Sequence, residues 1–318
     1  MIAVLGLGSI GLRHARNLLA LGETVMGFDP SPERRALLEA EGGQTTASQP
    51  EALSGARAAV VASPSQYHQT DLAAALAAGC HVFAEKPLAH HPDGLGDLLD
   101  SADTAGLVVF AALNLRYHPA VVAAKALLDE GRLGQVLWAR VEMADYLPNW
   151  RPGTDHTKGY ANDPRTGGVI FDIVHEFDLA AHLLGLPEVK SCVARNTGTL
   201  GLESEDLADM VLAHPGGAQS SVHIDYVTRP RRRVTELAGT GGRLRMDLDA
   251  RRLTLHDVSG TMVTDQAFPG AYADDYMAEM RAFLACTHGQ ARPLCDGREA
   301  LAVLERLLSA RELAGLPS

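Results

Sequence analysis

Short apolar segments alternate with longer amphipathic segments in the first third of the chain. The apolar segments predict β-strands at 2–5, 24–28, 58–62, 81–84 and 108–113, and the segments between them predict helices at 11–21, 32–41, 69–78 and 92–105. The strands are almost continuously apolar, which is typical of a sheet covered by helices on both faces. The order therefore predicts a doubly wound parallel sheet.

The pattern changes after residue 115. A helix at 119–130 and a long strand at 136–146 precede a segment, 148–168, that is rich in Pro, Gly, Asp and Asn; a helix at 174–184 follows. Further strands are predicted at 189–196, 208–213, 220–228, 233–238, 243–248 and 253–258, and helices at 274–287 and 297–313. Consecutive strands joined by glycine-rich turns favour a largely antiparallel, open sheet. We expect an α/β protein with domains at 1–116 and 117–318.

The first strand leads directly into a glycine motif. Gly6, Gly8 and Gly11 are spaced as G-x-G-x-x-G and open the first helix, with Ser9 and Ile10 between the last two. This is the context in which the motif indicates dinucleotide binding, because the pyrophosphate lies on free N–H groups at a helix N-terminus. The first domain is therefore predicted to be a Rossmann domain.

Asp29 lies at the end of the second predicted strand, about twenty residues after the motif. A carboxylate there accepts hydrogen bonds from the adenosine ribose and repels a 2′-phosphate, so NAD is preferred over NADP as the cofactor. Arg34 and Arg35 are expected mainly on the exposed face of the next helix, although they could reach a 2′-phosphate. NADP stays the second choice.

Composition excludes several classes of protein. The 318 residues are 46% hydrophobic and carry a formal net charge of -11, which disfavours nucleic-acid binding. The one basic segment, 229–233, is either a solvated strand edge or an anion contact for a phosphorylated substrate or a neighbouring subunit. No segment approaches the roughly 20 apolar residues of a membrane helix, and no secretory signal is recognisable. We expect a cytoplasmic protein with four reduced cysteines and no metal site.

Motifs in both halves resemble one known family. Glu85-Lys86-Pro87 follows the fourth predicted strand, and Asp172-Ile173-Val174-His175 leads into the helix at 174–184. Together with the glycine motif and the segments 62–68, 113–117 and 167–178, they make the whole chain resemble the Gfo/Idh/MocA oxidoreductases. That family is named after glucose–fructose oxidoreductase, inositol dehydrogenase and a rhizopine-catabolism oxidoreductase.

The resemblance implies an NAD(P)-dependent dehydrogenase that acts on a secondary alcohol of a sugar, sugar derivative or cyclitol. It implies a catalytic group of Lys86, Asp172 and His175. It also implies a cofactor site that includes Ser63, Pro64, His68, Glu85, Lys86 and Asn114. Relatives are commonly dimers or tetramers, so we expect a homodimer or homotetramer whose second domain binds substrate and mediates oligomerisation.

The chemistry of the residues agrees with these implied roles. Hydride leaves a carbinol carbon only as the hydroxyl loses its proton, and the usual pKa of histidine suits His175 to that task. An ammonium such as that of Lys86 stabilises the developing alkoxide. Asp172 could orient His175 or bind a substrate hydroxyl. Many relatives place one more residue between this Asp and His; on one continuous helix the difference rotates the pair by roughly 100°.

Polar and aromatic residues in the long loop suit a polyol, which has apolar C–H faces and hydroxyl edges. We expect substrate contacts from Arg116, Tyr146 and Trp150, and a structural role for Asp178. Two alternatives stay open. One is a glycosidase that uses NAD redox transiently, and the other is a non-catalytic NAD-binding sensor.

Overall fold

The computed structural model describes residues 1–317, which fall into two compact units. The first unit comprises residues 1–114 and 271–304, and the second comprises 115–270 with the C-terminal residues from 305. The sequence predicted a single division near residue 116. The chain first passes from one unit to the other between residues 114 and 115, within two residues of that position. Residues 271–304, in contrast, group with the N-terminal unit.

The first unit contains the parallel sheet that the sequence predicts. Its strands, in chain order, are β1 (Ile2–Leu5), β2 (Val25–Phe28), β3 (Gln44–Thr46), β4 (Ala58–Val61), β5 (His81–Ala84) and β6 (Val109–Ala111). The helices between them are α1 (Ser9–Ala20), α2 (Pro32–Glu39), α3 (Gln49–Leu53), α4 (His68–Ala77) and α5 (Leu95–Thr104). All neighbouring strands are parallel, in the order β3-β2-β1-β4-β5-β6. Strand order reverses beside β1, which puts the carboxyl ends of β1 and β4 at the switch point where such sheets bind ligands.

The second unit is built on a larger, mostly antiparallel sheet. Its elements begin with α6 (Pro119–Asp129), β7 (Val136–Tyr146), α7 (Gly168–Asp172) and α8 (Val174–Leu184). The remaining strands are β8 (Glu188–Arg195), β9 (Leu207–Ala213), β10 (Gln219–Asp225), β11 (Val227–Gly239), β12 (Gly242–Asp247), β13 (Arg252–Asp257) and β14 (Met262–Ala267). Their order is β14-β13-β12-β11-β7-β10-β9-β8, and only the pair β7–β10 is parallel. The helix α8 packs on β7 and β10, and α6 packs on β12 and β13.

Two helices close the chain, α9 (Tyr272–Thr287) and α10 (Gly297–Leu313). An aromatic cluster explains why α9 belongs to the first unit. The ring of Phe283 packs edge-on against Phe83 of β5 at 5.4 Å and against Phe110 of β6 at 5.7 Å, and all three rings are buried. Apolar burial of this kind holds α9 on the parallel sheet although more than 150 residues intervene.

Candidate active site

The glycine motif forms a tight loop between β1 and α1. Gly6 has a φ of 90°, and a Cβ atom there would lie 2.6 Å from the backbone of Ser63. A Cβ atom on Gly11 would lie 1.9 Å from the carbonyl oxygen of Gly6. Packing therefore requires glycine at both positions. A Cβ atom on Gly8, in contrast, would meet no atom of residues 1–317 within 4 Å, so the protein's own packing does not explain this glycine.

The N-terminus of α1 is open to a ligand. Gly8 is its N-cap and provides no side-chain hydrogen bond, and the first turn, which holds Ser9, Ile10 and Gly11, contains no acidic residue. The N–H groups of such a turn lack partners within the helix and carry its positive end. The open space at Gly8 and these N–H groups fit the pyrophosphate of a dinucleotide.

Asp29 follows β2 and braces the glycine loop. The residue is 2% exposed; Oδ2 accepts a hydrogen bond from the N–H of Leu7 at 2.8 Å, and Oδ1 accepts one from the N–H of Ser31 at 2.9 Å. Each carboxylate oxygen can accept a second hydrogen bond, so these contacts leave room for ribose hydroxyls. Arg34 is exposed, as expected, whereas Arg35 is partly buried, and both nevertheless reach back to Asp29. Arg34 Nη1 lies 3.5 Å from Oδ2, and Arg35 donates to the carbonyl oxygen of Asp29 at 2.6 Å.

His68 joins two loops at the carboxyl edge of the sheet. Its ring nitrogens lie 2.9 Å from the carbonyl oxygen of Ser63 and 2.7 Å from that of Pro87, and the residue is 1% exposed. Ser63 in turn donates from Oγ to Asp71 at 2.5 Å, and Pro64 precedes a short turn that leads into α4. His68 therefore holds the predicted cofactor segment in place through backbone contacts.

Glu85 forms a buried pair with His14 of α1. His14 Nε2 lies 2.6 Å from Glu85 Oε1, and Glu85 Oε2 accepts a hydrogen bond from the N–H of Lys86 at 3.2 Å. Burial alone raises the pKa of Glu85, but the His14 hydrogen bond and the charges of His14, Lys86 and His68 outweigh it and hold that pKa below its usual value. The pair connects the first helix to the segment that carries Lys86.

Lys86 lies just beyond β5 and precedes Pro87 through a cis peptide bond. The flanking groups are fixed on both sides, by His14 through Glu85 and by His68 through Pro87. Since β5 neighbours β4 and β4 neighbours β1, Lys86 belongs to the same sheet edge as the glycine loop.

Asn114 is the last residue of the first segment of the first unit, and its side-chain amide has no hydrogen-bond partner among residues 1–317. The residue is 1% exposed, and neither Oδ1 nor Nδ2 is bonded to any of residues 1–317. A buried amide left without partners is costly, so this side chain fits a site that a polar ligand group completes. It is one of the predicted cofactor contacts.

In the second unit, Asp172 is buried between two tyrosines. Tyr160 donates to its Oδ1 at 2.5 Å, and the Tyr226 hydroxyl lies 2.9 Å from its Oδ2 and 3.1 Å from the carbonyl oxygen of Gly168. Burial, followed by the charge of Asp172, raises the pKa of Tyr226 well above its usual value. Tyr226 is therefore a permanent hydrogen-bond donor and not a base.

A helix break separates Asp172 from His175. Asp172 is the last residue of α7, Ile173 has φ -98° and ψ 38°, and His175 is the second residue of α8. The two side chains therefore do not lie on one continuous helix, and the rotation of roughly 100° expected for such a helix does not apply to them. His175 is half-buried, and the spacing in sequence does not by itself disqualify the pair.

Arg116 is held in a buried ion pair with Asp178 of α8. The guanidinium donates from Nε at 3.0 Å and from Nη2 at 2.7 Å to the two carboxylate oxygens, and the side chains are 2% and 0% exposed. This agrees with the structural role expected of Asp178. It also gives Arg116 a structural role, whereas the sequence predicted a substrate contact.

Tyr146 and Trp150, the other predicted substrate contacts, lie in one polar and aromatic cluster. Trp150 donates from Nε1 to Asp145 at 2.7 Å and packs edge-on against Tyr226 with ring centroids 5.6 Å apart. The guanidinium of Arg229 lies 3.8 Å from the centroid of the Tyr146 ring. Trp150 therefore connects through Tyr226 to Asp172.

Sequence reasoning missed His14 and Tyr226. His14 follows the last motif glycine by three residues on the buried face of α1, which was a usable signal. Tyr226 lies between two strands and had no such signal. Within residues 1–317 no three His, Cys, Asp or Glu side chains are grouped to hold a metal ion, and all four cysteines are free and buried.

Comparison with known proteins decides the family. An oxidoreductase-family model with an NAD-binding Rossmann fold matches residues 1–113, and a Gfo/Idh/MocA C-terminal domain model matches residues 121–245. The chain belongs to the Gfo/Idh/MocA family. As the family implies, it is an NAD-dependent oxidoreductase with an α/β fold, and both predictions are confirmed.

Relatives in this family are named for reactions on sugars and cyclitols. The chain is 28% identical to 1,5-anhydro-D-fructose reductase of Ensifer adhaerens over 87% of this chain and 84% of the relative. It is 26% identical to myo-inositol 2-dehydrogenase of Thermotoga maritima over 94% of this chain and 91% of the relative. A solved levoglucosan dehydrogenase in complex with NADH and levoglucosan shares the fold, with a TM-score of 0.87 at 19% identity over 99% of this chain and 96% of that one. Among residues 1–317, no helix combines the length and apolar character needed to cross a membrane.

Proposed function

We propose that this oxidoreductase transfers hydride between a secondary alcohol of a sugar, sugar derivative or cyclitol and the nicotinamide of NAD. The names of the two relatives, a reductase of an anhydro-sugar and a dehydrogenase of inositol, support this substrate class. NAD is the preferred cofactor because Asp29 is a carboxylate at the end of β2, and NADP is the second choice.

One observation carries the proposal: Lys86 lies at the carboxyl edge of the NAD-binding sheet, and both of its neighbours are fixed there. Glu85 is held by His14, and the Pro87 carbonyl is held by His68. A lysine with a merely solvated role does not need its backbone braced by two buried histidines. We therefore assign Lys86 to the reaction.

In this mechanism the alcohol loses two groups. The nicotinamide, when bound, would supply the acceptor for the hydride of the carbinol carbon, and the hydroxyl must give up a proton as the C=O bond forms. His175 takes that proton, and the Lys86 ammonium hydrogen-bonds the same oxygen while negative charge develops on it. Asp172, held by Tyr160 and Tyr226, supplies a fixed carboxylate for a substrate hydroxyl or for His175.

Cofactor contacts follow from the fit of the first unit. Gly8 and the N-terminus of α1 would hold the pyrophosphate, Asp29 the adenosine ribose, and Asn114 a polar group of the nicotinamide half. Ser63 and Pro64 line the adjoining loop, and His68 and Glu85 support that loop from within.

The test is NADH formation, followed by its near-ultraviolet absorbance, with a panel of sugars, cyclitols and glycosides and both dinucleotides. We expect turnover of at least one panel member, and we expect Lys86→Met to lower kcat at least ~10²-fold while NAD affinity stays within a few-fold. Lys125→Met, which removes a half-buried lysine paired with Asp129, is the matched control. Near-native turnover of Lys86→Met contradicts the assignment, and aglycone release without NADH accumulation indicates the glycosidase alternative.

Whether the two units serve one reaction is tested by combining variants. Residues that act on one transition state have strongly non-additive effects. We expect Lys86→Met with His175→Asn to cost little more than the worse single variant. Fully multiplicative losses argue against a shared step.

We also propose a homodimer or homotetramer working in the cytoplasm. Leu137 of β7 and Val193 of β8 are 49% and 65% exposed, and apolar side chains on a sheet are a common basis for self-association. Sedimentation of the purified chain tests the assembly; a monomer at micromolar concentration contradicts it.

A further inference from the structure

The basic segment 229–233 contains one arginine that is not neutralised. The other three arginines of the segment form ion pairs with carboxylates. Arg231 pairs with Asp145 and Asp249, Arg232 with Glu142, and the buried Arg233 with Glu176. Arg229 is exposed, and no carboxylate of residues 1–317 lies at ion-pair distance from it. In a chain with a net charge of -11, an uncompensated guanidinium is a local positive charge that can bind an anionic partner.

Tyr146 holds this guanidinium without using its hydrogen-bond donors. The carbon Cζ of Arg229 lies 3.8 Å from the ring centroid, which is van der Waals distance and places the planar group against the ring face. The N–H groups of a guanidinium lie in its plane, so this contact leaves them available for a phosphate or carboxylate.

A second arginine of the same kind belongs to the same cluster. Arg151 is exposed, has no carboxylate of residues 1–317 at ion-pair distance, and lies 5.9 Å from the centroid of the Tyr160 ring. Tyr160 donates to Asp172, which also accepts from Tyr226. Trp150, next to Arg151 in the chain, packs on Tyr226 and bonds to Asp145, the neighbour of Tyr146.

We propose that Arg229 and Arg151 recognise an anionic substituent, a phosphate ester or a carboxylate, on the sugar that this enzyme converts. The proposal rests on the proposed function and narrows its substrate class. Asp145, which precedes Tyr146 in the chain, contacts Trp150, and Trp150 contacts Asp172 through Tyr226. Arg151 is connected to the same Asp172 through Tyr160. Arg229 and Arg151 determine specificity and take no part in hydride transfer.

Matched substrates test the proposal. The wild-type enzyme is assayed with NAD and four groups of compound: neutral hexoses and cyclitols, hexose phosphates, hexuronates and nucleoside-diphosphate hexoses. We expect the highest kcat/KM with an anionic group, and a KM for that group that rises with ionic strength, because salt screens exposed charges. The phosphate and carboxylate arms distinguish the two sources of charge.

Arg229→Gln is the deciding variant. We expect the ratio of kcat/KM for the anionic sugar to kcat/KM for its neutral counterpart to fall ~10- to 100-fold, mainly through KM, and to recover partly in Arg229→Lys. Arg140→Gln is the matched control, because Arg140 is also exposed and lies 5.3 Å from an aromatic ring, Trp138, at the other end of β7. The control leaves the ratio within about twofold.

Three outcomes contradict the inference and are distinguishable from failure of the proposed function. If a neutral sugar is converted best and Arg229→Gln leaves the ratio unchanged, the enzyme is still a dehydrogenase, but the proposed anion site is contradicted. A change of oligomeric state in Arg229→Gln with unchanged kinetics makes Arg229 a subunit contact. An equal loss for neutral and anionic sugars shows general damage. No turnover of any sugar with either dinucleotide contradicts the proposed function itself.

Discussion

The imidazole of His14 and the carboxylate of Glu85, the residue before Lys86, lie 2.6 Å apart in a buried pair. His14 comes from the helix that starts at the glycine motif, and Glu85 follows β5. This pair of side chains thus connects the nucleotide loop directly to the segment of the proposed catalytic lysine. His14 Nδ1 has no partner among residues 1–317, so Glu85 is its main polar contact.

The first prediction follows from this pair. Glu85→Gln keeps the shape but weakens the bonds to His14 and to the Lys86 N–H, so we expect kcat to fall ~10-fold with sugar KM within a few-fold. If Glu85 acts by positioning Lys86, Glu85→Gln combined with Lys86→Met costs no more than Lys86→Met alone. Glu41→Gln, which breaks an exposed pair with Arg16, is the control and leaves kcat unchanged. Multiplicative losses in the double variant contradict the positioning role.

The second prediction concerns the choice of dinucleotide. Asp29→Asn keeps an oxygen that can accept from the N–H of Leu7, but it removes the charge that repels a 2′-phosphate. With Arg34 already 3.5 Å from this side chain, we expect the ratio of kcat/KM for NAD to that for NADP to fall at least ~10-fold. Steady-state kinetics with each dinucleotide at a fixed sugar concentration measure it. An unchanged ratio shows that Asp29 does not contact the ribose.

Much of this fold could be predicted from patterns of apolar residues, and the exceptions have physical causes. The edge strand β3 was missed because Gln44, Thr45 and Thr46 are polar and only partly buried or exposed. The strand β14 was missed because almost all of its residues are exposed and no alternation of buried and exposed positions marks it. The grouping of α9 with the parallel sheet depends on Phe283, whose partners lie far away in the sequence.

The candidate site shows the same limit more sharply. The sequence motifs indicated which loops form the candidate site, but they did not show what each side chain contacts. Arg116 is the clearest case, because only the fold reveals that Asp178, 62 residues away, holds its guanidinium. The break at Ile173 is another, since helical periodicity predicts the helix and not its local interruption. Long-range pairing of polar groups leaves no local pattern in a single sequence.

The third prediction concerns Tyr226. Tyr226→Phe deletes one of the two phenol donors to Asp172 and leaves a buried carboxylate oxygen with one partner fewer, so we expect kcat to fall ~10-fold. Tyr272→Phe, a change at a tyrosine that is 45% exposed in the other unit, serves as the control. If Tyr226 acts through Asp172, the change has little further effect in an Asp172→Asn background. Wild-type kcat in Tyr226→Phe contradicts a role for this bond.

The fourth prediction is a pH dependence of stability. His223 of β10 lies 2.7 Å from Asp209 and 3.1 Å from Asp225, and these carboxylates, Asp225 first, raise its pKa from 6.5 to about 9 against the opposing effect of burial. Since the folded-state pKa lies above the unfolded one, the stabilisation is complete below 6.5 and is lost as pH rises through about 9. We expect His223→Gln to reduce the free energy of unfolding by about 1 kcal/mol near pH 6 and by close to nothing near pH 10. The value at pH 6 is small because the side chain is 36% exposed and solvent screens its charge. Both tryptophans, Trp138 and Trp150, belong to this unit, so urea unfolding followed by tryptophan fluorescence reports on it directly. A difference between wild type and variant that stays constant from pH 6 to 10 contradicts the ion pairs as its source.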